Sequence, residues 1–307
     1  MTEGIAQTAT ACIEGSPGVM RCTRMPSGFA NANYRLETSA GVYLLRHRSG
    51  LDRSEVEFEL DVLDWLQSRR FPAPAAIRFS GGERYLAGPD GSHLVLLEWL
   101  EGSEPESSES NVATIAHALG DLHNLQPPSG DWWRRENPIG EKVAAALVES
   151  LEPDCPQLFR FYAKEFGLIR PRLHAPLPSG LIHGDLFPDN TLFRDDELVA
   201  FLDFECACED TLLFDVVMTI HGFCFRDEEW SPRLADVFLT AYNERRQLTE
   251  AEGDALPVYL SWCPLAMMGW HLRQLLRRPD IDNERRAGEL ARRVTTMKEA
   301  NWNPWES

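Results

Sequence analysis

The sequence predicts an α+β chain of two lobes: a small antiparallel-sheet lobe over residues 1–102 and a larger, mainly helical lobe over residues 103–307. Three observations predict it. Strand-like runs separated by short turns fill the first hundred residues, whereas apolar positions recur at helical spacing through most of the chain beyond residue 109. A polar, acidic stretch from Ser103 to Glu109 separates the two patterns. The length of 307 residues exceeds what one hydrophobic core usually serves.

Taken in order, Val19 to Met25, Tyr34 to Thr38 and Val42 to Arg46 read as strands, with Ser27-Gly28-Phe29-Ala30-Asn31 turning between the first two. Ser54 to Arg69 reads as a helix, with Val56, Leu60, Leu63 and Leu66 as its apolar stripe and Ser54 as the expected N-cap. Phe71-Pro72-Ala73-Pro74 stops that helix, because a residue before proline is pushed out of the α region. A strand pair turning at Asp90-Gly91 leads into the apolar run Leu94 to Leu97, which ends in Glu98-Trp99-Leu100-Glu101-Gly102. Beyond the linker, Ile115, Leu119, Leu122 and Leu125 mark one helix, and two more are expected near Ile139 to Leu147 and Pro156 to Ile169. Gly180-Leu181-Ile182, Thr191-Leu192-Phe193 and Leu198 to Leu202 read as short strands, the last two joined by a polar turn at Asp195-Asp196. Helices follow over Leu213 to Phe225, Pro232 to Arg246, Ala251 to Arg277 with bends at Pro257 and Pro264, and Asn283 to Ala300.

Composition narrows the class of partner. The formal net charge of −18, from 48 acids against 30 bases, opposes a nucleic-acid backbone or an anionic membrane surface and is compatible with a cationic or zwitterionic substrate. No run of eighteen apolar residues and no basic-plus-apolar leader occur, so a soluble, cytoplasmic protein is expected. The seven cysteines are odd in number and form no Cys-x-x-Cys pair, which reads as reduced thiols, and Cys206-x-Cys208 lacks the partners of a zinc site.

The chemistry concentrates in His183-Gly184-Asp185-Leu186-Phe187-Pro188-Asp189-Asn190 and in Asp203, thirteen residues further on. Asp185 is a candidate base for the proton of an attacking hydroxyl. The amide oxygen of Asn190 and the carboxylate of Asp203 are hard oxygen ligands of the kind that suits Mg²⁺. The strand, loop, hairpin and strand around them are expected to fold these three residues onto one point. Asp and Asn are also ordinary turn residues, but the order and spacing Asp185, Asn190, Asp203 is that of a catalytic loop followed by a metal-binding Asp.

The stretch resembles the aminoglycoside phosphotransferase and choline kinase superfamily, small-molecule relatives of protein kinases with a bilobal protein-kinase-like fold. The resemblance implies ATP and Mg as cofactors and a small acceptor carrying a hydroxyl and an amine. His183-Gly184-Asp185 stands where protein kinases have His-Arg-Asp, and no Gly follows Phe204, so a regulated Asp-Phe-Gly switch is not implied. It further implies that Ser27 and Gly28 lie in a loop over the phosphates, and that Arg46 takes the place of the phosphate-binding Lys with Glu59 as its helix partner. Arg46 could also be a solvent-facing strand end, and Glu59 part of an acidic face with Glu55 and Glu57. Glu98 and Leu100 stand where the interlobe hinge offers backbone groups to adenine. Asp215 resembles the helix Asp that holds the catalytic loop by its backbone N–H groups, with His183 in that loop, although a carboxylate early in a helix is also favoured by the dipole alone.

Within the superfamily the chain is most similar to bacterial type II homoserine kinases, through Gly28-Phe29-Ala30-Asn31-Ala32-Asn33-Tyr34, Ile182 to Asn190, and Asp203-Phe204-Glu205-Cys206-Ala207-Cys208 continuing to Phe214-Asp215 and Phe223-Cys224-Phe225. It departs from them at Gly184, Glu205, His221 and Phe223, and the helix they carry before the first strand is expected to be short or missing. Glu205, Asp210 and His221 are candidate acceptor contacts, the two acids suiting an ammonium group; a structural carboxylate is the alternative for Glu205. Trp262 and Trp270 read as core. Homoserine is the first acceptor expected, with choline- or ethanolamine-like amines and aminoglycosides as alternatives and a nucleotide-binding pseudokinase as the remote one. A signalling kinase is disfavoured, since only eleven residues separate Asp203 from Asp215.

Overall fold

The computed structural model describes residues 2–25, 32–50, 52–88, 91–173, 176–226, 228–300 and 302. The chain forms two compact units, residues 1–103 with 191–205, and residues 104–190 with 206–307.

The first unit begins with α1 (Thr2–Ala11), followed by β1 (Val19–Arg24), β2 (Ala32–Thr38), β3 (Gly41–Arg48), α2 (Arg53–Ser68), β4 (Tyr85–Ala87) and β5 (His93–Glu98). The five strands make one antiparallel sheet in the order β1-β2-β3-β5-β4. The helix expected to be short or missing before the first strand is present: α1 buries Ile5, Ala6 and Ala9 in one apolar cluster with Tyr34, Leu36, Leu45, Leu94 and Leu96. The N-cap of α2 is Asp52 rather than Ser54. Its side chain accepts from Ser54 N–H, and Glu55 closes a capping box that satisfies two otherwise unpartnered donors.

β3 also runs two residues past its expected end. Residues 45–48 are all buried, as in a strand covered on both faces, so Arg46 and Arg48 lie on the same face of a covered strand rather than at a wet edge. The hairpin β7 (Thr191–Arg194) and β8 (Glu197–Phe201) closes this unit. Asp195 and Asp196 both have positive φ, 51° and 61°, the conformation of a tight two-residue hairpin turn. The hairpin is tied to the end of the β5 segment by two backbone hydrogen bonds of 2.8 Å between Ser103 and Phe193.

The second unit contains α3 (Glu109–His123), α4 (Glu141–Glu149), α5 (Gln157–Ile169), β6 (Ser179–Ile182), β9 (Cys208–Thr211), α6 (Leu212–Phe223), β10 (Phe225–Arg226), β11 (Glu229–Trp230), α7 (Pro232–Arg245), α8 (Glu250–Arg277) and α9 (Ile281–Ala300). α3 packs on α7, α8 on α9, and α6, buried along nearly its whole length, lies against α8. β6 pairs with β9 antiparallel, from Ser179↔Thr211 to Ile182↔Cys208. α8 continues through Pro257 and Pro264. Among the described residues, no helix is long and apolar enough to cross a membrane.

Candidate active site

In the second unit, β6 ends at Ile182 and delivers His183-Gly184-Asp185 into a loop that closes with a short 3-10 turn, Pro188–Asn190. Asp215, on the first turn of α6 and fully buried, holds this loop. It accepts hydrogen bonds from His183 N–H at 2.7 Å and Gly184 N–H at 2.8 Å. Its third partner is the imidazole of His123 at 3.2 Å, and that ring also meets the Tyr242 hydroxyl at 2.7 Å. Burial alone would raise the Asp215 carboxyl, but the hydrogen bond and charge of His123, the charge of His183 and the Gly184 N–H outweigh it and hold the group below the usual carboxylate range.

Gly184 is required sterically. Its φ is +81°, and a Cβ there would lie 2.5 Å from the Cys206 carbonyl oxygen. The Asp185 N–H donates to His183 Nδ1 at 3.3 Å, and Asn190 turns its amide nitrogen back onto Asp185, at 2.7 Å from the carbonyl and 3.2 Å from Oδ2. The nitrogen end of Asn190 is thereby committed, and its oxygen end is the one able to face a cation.

The first unit assembles a charged cluster. Arg46 Nη1 donates to Glu59 Oε1 at 2.7 Å, and its Nη2 lies 3.1 Å from Asp203 Oδ2. Glu59, only 2% exposed, sits on the buried face of α2 rather than on a solvated one. Arg48 binds the other oxygen of Glu59 and reaches Glu205 at 3.0 Å, and Arg46 approaches Glu205 at 3.8 Å. Burial would pull the Arg46 guanidinium down, but Asp203, Glu59 and Glu205 outweigh it and hold its pKa above the ordinary value. Burial, then Asp203 and Glu59, push Glu205 up to about 7 against the opposing arginines.

Asp203 is unusual in two respects. Its φ of 60° is one that a non-glycine residue rarely adopts, and its Oδ1 is buried with no hydrogen-bond partner. The carboxylates of Glu59, Asp203 and Glu205 converge to within 4.8 Å of one another. The bare Asp203 oxygen in the first unit and the Asn190 amide oxygen in the second are each a hard oxygen donor of the type that suits a divalent cation.

The three residues expected as acceptor contacts each have partners within the protein. Glu205 is bound to the two arginines of the first unit. Asp210 accepts from Asn137 Nδ2 at 2.7 Å and Thr211 N–H at 2.6 Å, the local bonds of a structural carboxylate. His221 is 1% exposed and its Nε2 meets the Leu260 carbonyl at 2.9 Å. Leu260 stands four residues before Pro264, so the helical N–H that its carbonyl would receive does not exist, and His221 supplies the donor instead. Burial, then the Arg293 charge, push the ring down to about 3, which keeps it neutral.

At the end of β5 the Glu98 N–H is committed to the Ala75 carbonyl at 2.8 Å. Gly102 follows, where a Cβ would meet the Phe193 carbonyl at 2.6 Å. Ser27 and Gly28 lie outside the described residues. Trp262 is buried against Phe166, as core packing. Sequence reasoning missed two residues. His123 was legible in principle, four positions after Leu119 on the buried stripe of α3; Arg48 repeats Arg46 at the two-residue strand period.

The family model described as phosphotransferase enzyme family matches residues 21–256. The chain is 31% identical over 268 residues to a homoserine kinase of Brucella anthropi, covering 82% of this chain and 79% of that one. It is 32% identical over 266 residues to a homoserine kinase of Chelativorans sp., covering 82% and 80%. Among solved structures, an amicoumacin kinase in complex with AMP-PNP, Ca²⁺ and Ami superposes with a TM-score of 0.75 at 17% identity over 98% of this chain and 94% of that one. A choline/ethanolamine kinase family protein from Mesorhizobium loti does so with a TM-score of 0.72 at 18% identity, over 97% and 95%.

Proposed function

We propose that this chain, which belongs to the phosphotransferase enzyme family, uses ATP and Mg²⁺ to phosphorylate the hydroxyl of a small amine-bearing metabolite, with L-homoserine first. The observation that carries the reading is the buried Asp215 brace, which fixes the backbone of His183 and Gly184 and so presents Asp185 and Asn190 in a set geometry. A base must be held within hydrogen-bond reach of the proton it removes, and a braced loop provides that where a free one would not.

In this reading Asp185 takes the proton of the acceptor hydroxyl as its oxygen bonds to the γ-phosphorus and the bond from that phosphorus to the bridging oxygen breaks, releasing ADP without a phosphoenzyme. Asn190 and Asp203 would hold Mg²⁺, which would supply positive charge against the phosphate oxygens. Arg46, steadied by Glu59, contacts the phosphates, and the Ser27-Gly28 loop covers them. With the Glu98 N–H taken, the base is met by the Glu98 carbonyl and the Leu100 N–H. Residues 1–102 thus serve mainly the nucleotide, and residues 103–307 the transfer and the acceptor.

The identity of about 31% to homoserine kinases along four-fifths of the chain supports homoserine ahead of other acceptors. A choline- or ethanolamine-like amine is the second reading, favoured by the likeness to the Mesorhizobium loti fold, and an aminoglycoside is the third. A panel of homoserine, choline, ethanolamine and aminoglycosides, assayed by ADP release at saturating Mg·ATP, tests the ranking. Homoserine should exceed the acceptor-free control. Release above that control with another acceptor and none with homoserine would overturn the substrate while leaving the reaction intact.

A further inference from the structure

We infer that Arg48 is a positioning residue of the nucleotide site, holding Glu59 and Glu205 in place so that Arg46 can leave Asp203 for the phosphates. The inference rests on the reading of Arg46 as the phosphate-binding cation. Arg46 is shared among three acids: Glu59 at 2.7 Å, Asp203 at 3.1 Å and Glu205 at 3.8 Å. When Asp203 turns to a metal and Arg46 to the phosphates, Glu59 and Glu205 lose part of their positive surroundings. Glu59 is 2% exposed, and a buried carboxylate stripped of its partner is strongly disfavoured.

Arg48 supplies the remaining charge. One of its terminal nitrogens binds the Glu59 oxygen that Arg46 does not use, and the other lies 3.0 Å from Glu205. It therefore ties α2 to the segment that follows Asp203, independently of where Arg46 points. Its own exposure of 1% keeps it from meeting a ligand directly, so its action passes through its two acids. The residue type is part of the argument. A guanidinium fork can serve two carboxylates from different elements at once, and an ammonium of similar length is a single point charge.

The test compares binding of Mg·ADP and of adenosine, which shares the base but carries no phosphate, by calorimetric titration of the full chain. The variants are Arg48→Lys, which keeps the charge, and Arg48→Met with Glu205→Met, which removes both charges and leaves Glu59 paired with Arg46. Each should weaken Mg·ADP by about tenfold, the ratio that losing one modest contact produces, while adenosine stays within about twofold of the parent. Equal weakening of both ligands, or an unchanged Mg·ADP affinity in either variant, would overturn the inference. Arg46→Ala, measured alongside, separates this from the underlying reading: unchanged Mg·ADP affinity there would remove Arg46 from the phosphates, and with it the role given to Arg48.

Discussion

Replacing Asp215 by Asn exchanges one carboxylate oxygen for an NH₂ group and should cost both stability and turnover. The carboxylate accepts from His183 N–H, Gly184 N–H and His123 through two oxygens, the second of which serves both His183 and His123. An amide keeps only one oxygen and places an NH₂ donor against the donors left over. Hydrogen bonds to a charged group contribute about 1.5–3 kcal/mol each, and breaking a buried charged arrangement costs about 3–5 kcal/mol, so a loss of about 4 kcal/mol is expected. Chemical denaturation monitored by circular dichroism reads it, and the melting temperature should fall by roughly 10 °C. Turnover, read by ADP release, should fall by about 10²-fold because the loop that carries Asp185 loses its backbone anchors. The sign of the pH dependence follows from the depressed carboxyl. Its contribution is fully present above the unfolded value of about 3.9 and is lost as pH falls through the lower folded value, so the variant should lack that part of the parent's acid limb. Parent-like stability together with parent-like turnover would refute the brace.

The remaining predictions address single residues. Asp185→Asn keeps shape without the base and should lower turnover by roughly 10²–10⁴-fold with nucleotide affinity retained; near-normal turnover would remove it from the role. Asp203→Ala should abolish Mg²⁺-dependent nucleotide binding more severely than Asn190→Ala, because a carboxylate carries charge that an amide lacks, and titrations with and without Mg²⁺ decide it. His221→Leu should cost about 1–3 kcal/mol by stranding the Leu260 carbonyl, and less in a Pro264→Ala background, where a helical N–H is restored. Its acceptor KM should match the parent's; a raised KM would return His221 to the acceptor pocket.

The local features were the legible ones. Asp185, Asn190 and Asp203 stand at short, fixed separations, and the strands around them and the Asp195-Asp196 turn between the last two follow from alternation and turn chemistry. The capping box of α2 was also written locally, as Asp52 three residues before Glu55, and was passed over for the serine beside the apolar stripe. The partners of Glu205 and His221 were not legible, because they lie far away along the chain. Glu205 adjoins Asp203 but is claimed by Arg48, 157 residues earlier, and His221 by a carbonyl 39 residues later whose need arises from a proline. Arg48 was hidden for a different reason. A second arginine just beyond an apolar run looks like a solvated strand end until α2 is seen to bury a glutamate against it.

Each unit thus pairs a residue suited to meet reactants with a buried one that fixes its surroundings: Asp185 with Asp215 in one, Arg46 with Arg48 in the other. The supporting residues are the more deeply buried, Asp215 at 0% and Arg48 at 1% exposed, and each is joined to more than one element, so their loss must register in the fold as well as in the chemistry. The three residues first assigned to the acceptor are also held by partners within the protein, although of them only His221 is buried. Glu205 lies against two arginines, Asp210 accepts from an amide and a backbone N–H, and His221 is neutral with its Nε2 on the Leu260 carbonyl, so each has a structural partner. The departures from the homoserine kinase pattern at Glu205 and His221 are thus each tied to a partner set by the fold, the arginines of β3 and the Leu260 carbonyl.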